Sequence, residues 1–340
     1  MKNAGLVGVA VALVSTGLLA GTASAQSFSA KSVNLVVGFP PGGGYDTIAR
    51  VFSRHYGKHL PGTPAIVVQN QPGAGSLLAA NVLYNAGAKD GSQMAMFASS
   101  AVLEPLMDNP QAKFDPNKFE WVGNLNRDTP ACGVWKTSGL TSWDDIKKRK
   151  TRFGASGPAA VTAQHAFFLK NVGGADIQVI MGLGGTGPIV LAMQRGEVDA
   201  SCGMFLSSVR GSFRQDYEAG NLNIFVQFGK KKIPYFKNAP SIYELLSNED
   251  DKKLAEFVFA PAEVTRPIAL PPGTPASIVK AMQDAFDKTV ADKEYLADMA
   301  KAQIDAEPMT GAETAASFKS ITSSPKALVE RAKAVLTPPK

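Results

Sequence analysis

The residues best suited to chemistry lie in three glycine-rich loops, Gly38–Asp46, Asn70–Ser76 and Gly182–Pro188. Each sits between a strand-like apolar run and a helix-like stretch. Helix N-termini expose amide N–H groups that have no partner within the helix, and they carry partial positive charge. Glycine lets a ligand approach that backbone closely. Loops of this kind suit a carboxylate or a phosphate. Asp46 reads as the N-cap of the helix after the first loop. Tyr45 is an aromatic residue set inside that loop. Nucleotide chemistry lacks its motifs: there is no G-x-x-x-x-G-K-[ST], and no proper G-x-G-x-x-G with an acidic partner.

Other chemistry finds less support. His55 and His59 stand at i, i+4, the spacing of a metal pair, but no convincing third ligand is near. Two cations near a helix C-terminus is the plainer reading, so no metal is expected. His165 with Ser156 or Ser201 and an aspartate would make a hydrolase triad, but no G-x-S-x-G elbow is present. A packed helix residue or a ligand contact fits His165 better. Phe39, Phe97, Phe167 and Phe205 read as core residues. Cys132 and Cys202, the only cysteines, close a disulfide or lie as buried thiols on neighbouring strands. A C-x-x-C redox motif is absent.

The elements that position these residues alternate. Strand-like runs at 33–39, 65–69 and 92–98 frame helices expected at 47–59 and 77–86, which is a parallel α/β pattern. The pattern restarts after about residue 130, with Ser142 capping a short helix and Thr162 capping one that runs to about Asn171. The last third reads as helices from Thr274 to Val290, from Asp292 to Gln303, and from Thr310 onward with a break near 323–325. A length of 340 residues, at about 150 per domain, suggests two domains. Residues 1–25 combine a basic start, an apolar stretch and an Ala23-Ser24-Ala25 cleavage site, so they read as a secretory signal peptide. A net charge of +6 without a dense basic stripe argues against nucleic acid and suits a small anion.

The motifs together resemble the Bug, or tripartite tricarboxylate receptor (TctC-like), family of periplasmic solute-binding proteins. Gly38-Phe-Pro-Pro-Gly-Gly-Gly-Tyr-Asp-Thr-Ile-Ala-Arg50 is similar to the family's first loop and helix. Asn70-Gln-Pro-Gly-Ala-Gly75, Asp90-Gly91, Gly185-Thr-Gly-Pro188, Gly196-Glu-Val-Asp199, Ala239-Pro-Ser-Ile-Tyr-Glu244 and Pro272-Gly-Thr-Pro275 match further segments in order. The resemblance implies an α/β, two-lobed periplasmic-binding-protein fold of the type II, Venus flytrap kind, crossed twice by the chain. It places lobe 1 at 26–128 plus 250–340 and lobe 2 at 129–249, with a hinge near residues 128 and 250. It implies a monomer in the periplasm that captures a small organic carboxylate without a cofactor and delivers it to membrane permease subunits. A sensory component that signals to a membrane kinase would use the same cleft.

Carried over residue by residue, the resemblance implicates Pro41, Gly42, Gly43, Gly44, Tyr45 and Asp46 of the first loop. It adds Gly73, Ala74, Gly75 and Ser76 of the second loop, then Ser99, Ser156 and Thr162, and Gly185, Thr186 and Gly187 of the third. Three departures stand out: Ser76 in place of a glycine, Leu183-Gly184, and the Ala159–Val161 turn. They imply a less polar pocket wall and an extra hydroxyl for the ligand. Tyr45 would stack on or cap the ligand. Arg127 and Arg195 are the candidate cleft arginines.

Overall fold

Short apolar runs form the strands of two sheets. β1 (Ser32–Val37), β2 (Ala65–Asn70), β3 (Gln93–Met96) and β4 (Glu120–Asn124) enter the first. β5 (Pro130–Trp135), β6 (Thr151–Gly154), β7 (Ile177–Ile180), β8 (Ala200–Phe205) and β9 (Leu222–Gln227) form the second. β10 (Pro267–Leu270) and β11 (Met309–Thr310) return to the first. The computed structural model describes Met1 and residues 28–337. Apart from Met1, the expected leader lies outside the described residues.

The first sheet runs β11-β4-β10-β3-β1-β2 and the second β7-β6-β8-β5-β9. β1 pairs in parallel with β2 and β3, and β6 in parallel with β7 and β8. β10 lies antiparallel between β3 and β4. This is the α/β architecture that the alternating pattern implies.

Period-two side-chain alternation divides the first lobe's core. Val33, Leu35 and Val37 of β1 face one layer, in which Phe52 and Tyr56 of the helix Gly44–Tyr56 meet Phe286 and Tyr295. Val36 faces the other layer, where Phe97, Phe119, Trp121 and Phe318 pack in series. The chain leaves the first sheet between β4 and β5 and returns between β9 and β10. On the return it forms the helices Ile242–Leu245 and Glu249–Phe259. The C-terminal helix Lys326–Leu336 packs on Glu249–Phe259 and on Val161–Asn171, where Asn171 Nδ2 donates to the Val335 carbonyl at 2.6 Å.

The helix Leu77–Ala86 and the pause between Gly311–Thr322 and Lys326–Leu336 fall where expected. Ser142 caps Trp143–Lys148 with a full capping box to Asp145. Two other expected caps do not. The first helix begins at Gly44 with Gly43 as N-cap, and the helix Val161–Asn171 begins after Ala160. Asp46 and Thr162 therefore sit inside the first turns, where their side chains serve other bonds.

Cys132 and Cys202 are joined by a disulfide between neighbouring strands β5 and β8, both fully buried. The bond spans 70 residues of sequence. Restricting a loop of that size in the unfolded chain contributes about 2–4 kcal/mol. Replacing both cysteines by alanine is expected to lower the melting temperature by roughly 5–10 °C, read by calorimetry. An unchanged melting temperature would deny the bond its stabilising part.

Candidate functional site

The first loop is held from behind by Asp46. Its carboxylate accepts from the Gly42 amide at 3.0 Å, from Asn70 Nδ2 at 2.9 Å and from Arg50 Nε at 2.9 Å, and it pairs with Arg50 Nη2 at 2.9 Å. Asn70 Nδ2 also donates to the Phe39 carbonyl at 2.9 Å. The first and second loops are thus tied through one buried carboxylate. Burial pushes the Asp46 carboxyl up, but the Arg50, Gly42 and Asn70 hydrogen bonds outweigh it and hold the group below its usual range. Pro41 and Gly42 form the exposed outer turn, with Gly42 at φ +84°.

The second loop bends through four consecutive residues with positive φ, Gly73, Ala74, Gly75 and Ser76. For Ala74 and Ser76 that conformation is strained. The bend carries the loop away from the cavity and onto the facing lobe. A Cβ on Gly157 would come within 2.4 Å of the Gly75 amide nitrogen, and one on Gly75 within 2.7 Å of the Ala160 nitrogen. Ser100 Oγ donates across the same seam to the Ala159 carbonyl at 2.7 Å. Ser76 Oγ accepts from the Ala98 amide at 2.9 Å beneath Gly38, so its hydroxyl is engaged there and not aimed at a ligand.

Three helix N-termini meet at one narrow cavity. Gly43, Gly44 and Tyr45 begin Gly44–Tyr56; Ala160, Val161 and Thr162 begin Val161–Asn171; Gly185, Thr186 and Gly187 begin Thr186–Gln194. The first-turn amides of each have no partner inside their helix. Phe39, Pro188 and Phe205 supply apolar wall, and Ser156, Thr162, Thr186 and Ser208 supply hydroxyls. Thr162 Oγ1 accepts from the Ser156 amide at 3.1 Å and bonds Ser156 Oγ at 3.0 Å, which fixes that corner. The cavity measures about 30 Å³, room for roughly one or two waters. Leu183 lies against Gly154 beneath the wall and does not line it. Ser99 stands behind Tyr45, close to the phenol. Burial pushes that phenol up, with Arg266 and Ser99 opposing the shift.

No protein-family model matches the sequence. The chain is 26% identical over 337 residues, 95% of both chains, to a UPF0065 protein in the gbd 5′ region of Cupriavidus necator. Protein BugT of Bordetella pertussis is 35% identical over 103 residues, 30% of this chain and 31% of that one. The structure of the periplasmic binding protein BugD superposes with a TM-score of 0.71 at 20% identity, over 91% of this chain and 99% of that one. The likeness in sequence is to Bug and UPF0065 proteins, and in fold to a periplasmic binding protein. The two-sheet fold agrees with that likeness.

The cleft arginine is neither of the two expected. Arg195 pairs with Glu197 at an exposed helix end, at 2.6 Å. Arg127 is exposed and lines a wider cavity of about 790 Å³ beside the crossing segments, among side chains of both signs. Arg266, at the start of β10, instead reaches the cavity and is fully buried. The sequence signal for it was a lone Arg-Pro opening the apolar run Ile268-Ala-Leu270. Phe39 and Phe205, read as core residues, also line the cavity.

The histidines serve structure. His165 packs between Phe228 and Phe259 with ring centroids at 4.3 and 4.7 Å, its Nδ1 without a partner. Burial lowers its pKa to about 3, so it is neutral. No triad forms around it. His55 and His59 each meet an aspartate, Asp298 at 3.0 Å and Asp292 at 3.1 Å. His55, Asp292 and Glu294 cluster closely enough to invite a cation. The Lys58 ammonium already bridges the two carboxylates, at 2.8 Å from each.

Because the Asp46 carboxyl is held below its usual range, its contribution is complete above about pH 4 and is lost as pH falls through the lowered value. Asp46→Asn is expected to cost about 1–3 kcal/mol at pH 7, where hydrogen bonds to a charged group are removed. The gap to the unaltered protein should narrow below about pH 4. Urea unfolding at pH 7 and pH 3 checks both. A gap that does not change with pH would remove the carboxylate from the argument.

Proposed function

We propose that this protein is an exported periplasmic receptor that captures a small organic carboxylate between its lobes and hands it to the permease of a tripartite tricarboxylate-type transporter. The observation that carries the reading is the meeting of three helix N-termini around one cavity, drawn from both lobes. Unpaired first-turn amides and helix dipoles favour an anion there. The mostly apolar remaining wall suits an organic body. The likeness to Bug proteins and to the fold of a periplasmic binding protein supports the receptor role. Among the described residues no helix is long and apolar enough to cross a membrane.

In this reading lobe 1 comprises 26–128 plus 250–340 and lobe 2 comprises 129–249. The lobes swing about the crossing segments near residues 128 and 250, with Glu249–Phe259 and Lys326–Leu336 lying as a strap along the second lobe. Closure brings the seam at Gly75 and Gly157 together and completes the cavity. Ligand shifts the lobe equilibrium only through its difference in affinity for the two states. The buried, neutral His165 supports a receptor over a hydrolase.

A thermal-shift panel of aliphatic, aromatic and amino-acid carboxylates, on mature protein unfolded and refolded to strip carried-over ligand, tests the reading. At about 100 times its dissociation constant a ligand contributes about 2.7 kcal/mol, a rise of several degrees. No rise across the panel with folded protein would overturn it. Gly157→Ala tests closure itself, because its new methyl would meet the Gly75 backbone. It should hold the lobes apart, increase the radius of gyration in solution scattering, and weaken the best panel carboxylate at least tenfold. Unchanged scattering and affinity would separate the seam from binding.

A further inference from the structure

Arg266 is the most unusual group in the cleft. Its backbone is fixed at the head of the central strand β10, where its amide donates to Asn124 Oδ1 at 2.7 Å and its carbonyl accepts from the Leu125 amide at 3.1 Å. Its side chain is fully buried. The guanidinium carbon lies 4.1 Å from the Tyr45 ring centroid and 4.6 Å from the Phe205 ring centroid. Nη1 donates to the Thr265 carbonyl at 3.1 Å. Nε has no partner. Nη2 lies beside the first helix N-terminus, where a Cβ on Gly44 would come within 3.0 Å of it. Among the described residues no carboxylate lies within 4.0 Å of this cation. Asp128 acts on it electrostatically, but the Asp128 oxygens accept from the Ser207 amide and hydroxyl.

We propose that Arg266 anchors the ligand, holding one carboxylate side-on with Nε and Nη2 while the amides of Gly44 and Tyr45 close over the same group. This deepens the carboxylate-receptor reading and rests on it. The two rings pack on the guanidinium and limit where it can move. Thr265 takes one end, so the open edge is the Nε–Nη2 pair. Two parallel N–H donors match the two oxygens of a planar carboxylate. A carboxamide of the same shape would set an NH₂ donor against an N–H donor. A buried cation with no carboxylate in direct contact is costly, and a bound carboxylate relieves that cost where a neutral ligand would not. Arg266 therefore sets specificity for charge, and the apolar wall selects the rest of the molecule.

The test uses acetate as the smallest carboxylate and acetamide as its neutral counterpart, each titrated into the full mature protein at matched ionic strength with sodium chloride. Acetate is expected to raise the melting temperature beyond the chloride control, and acetamide is not. Arg266→Gln should weaken acetate at least 30-fold. Arg266→Lys, which keeps the charge but lacks the fork, should weaken it at least fivefold. Acetate affinity within threefold of the unaltered protein in Arg266→Gln would overturn the anchor. So would indifference of the unaltered protein to acetate. In either case the wider carboxylate panel still decides the receptor reading by itself. If Arg266→Gln does not fold by circular dichroism, Phe205→Leu, which strips one ring and keeps the guanidinium, should weaken acetate at least threefold. Unchanged affinity there would overturn the anchor as well.

Discussion

The cleft depends on the buried carboxylate of Asp46. It draws the Gly42 amide, the Asn70 side chain and Arg50 to one point. Through those bonds the first glycine loop is pinned to the end of β2, and the helix behind it is aimed at the cavity. Without such a tie, the loop Pro40–Gly44 would pay its conformational freedom back on every binding event. With it, the first-turn amides of Gly44–Tyr56 are already oriented when a ligand arrives. Tyr45 follows from the same constraint. Its ring is placed against Phe39 and Arg266, so the orientation of the cleft arginine is set partly by a carboxylate on the opposite side of the loop.

The two lobes contribute different groups to the cavity. The first supplies Arg266, Tyr45 and one helix N-terminus. The second supplies two helix N-termini and most of the hydroxyls. Neither set is complete alone. The seam between Gly75 and Gly157 is built so that backbone meets backbone with no side chain between them, and this allows the two sets to come within reach of one small molecule. The strained positive-φ run at Gly73–Ser76 is what pushes that loop forward to the seam.

Much of the framework was legible in the residues. Apolar runs of strand length, each followed by a glycine loop and a helix, fixed the α/β character. The capping box at Ser142 and Asp145 and the break before Lys326 were written in local chemistry. Two caps were misread for one reason. Asp46 and Thr162 are good capping residues by type, but the chain turns three and two residues earlier, at Gly43 and Ala160, and their oxygens are taken by Gly42 and Ser156. Residue type shows that a bond will form, and only the path of the backbone shows to whom. β10 and its arginine were missed because they follow a loop and helix region with weak periodicity. Burial of a cation is also a tertiary property that no local pattern announces. The second loop was assigned to the ligand by its glycines, whereas its φ values turn it toward the other lobe.

The sulfur bridge has one more consequence. Cys132 and Cys202 both lie inside the five-stranded sheet of the second lobe, and neither reaches the segments that join the lobes. Oxidation therefore stiffens the second sheet alone. Under the closure proposed above, it leaves the swing of the lobes unrestrained, and a reduced molecule opens and shuts as before with a softer second half.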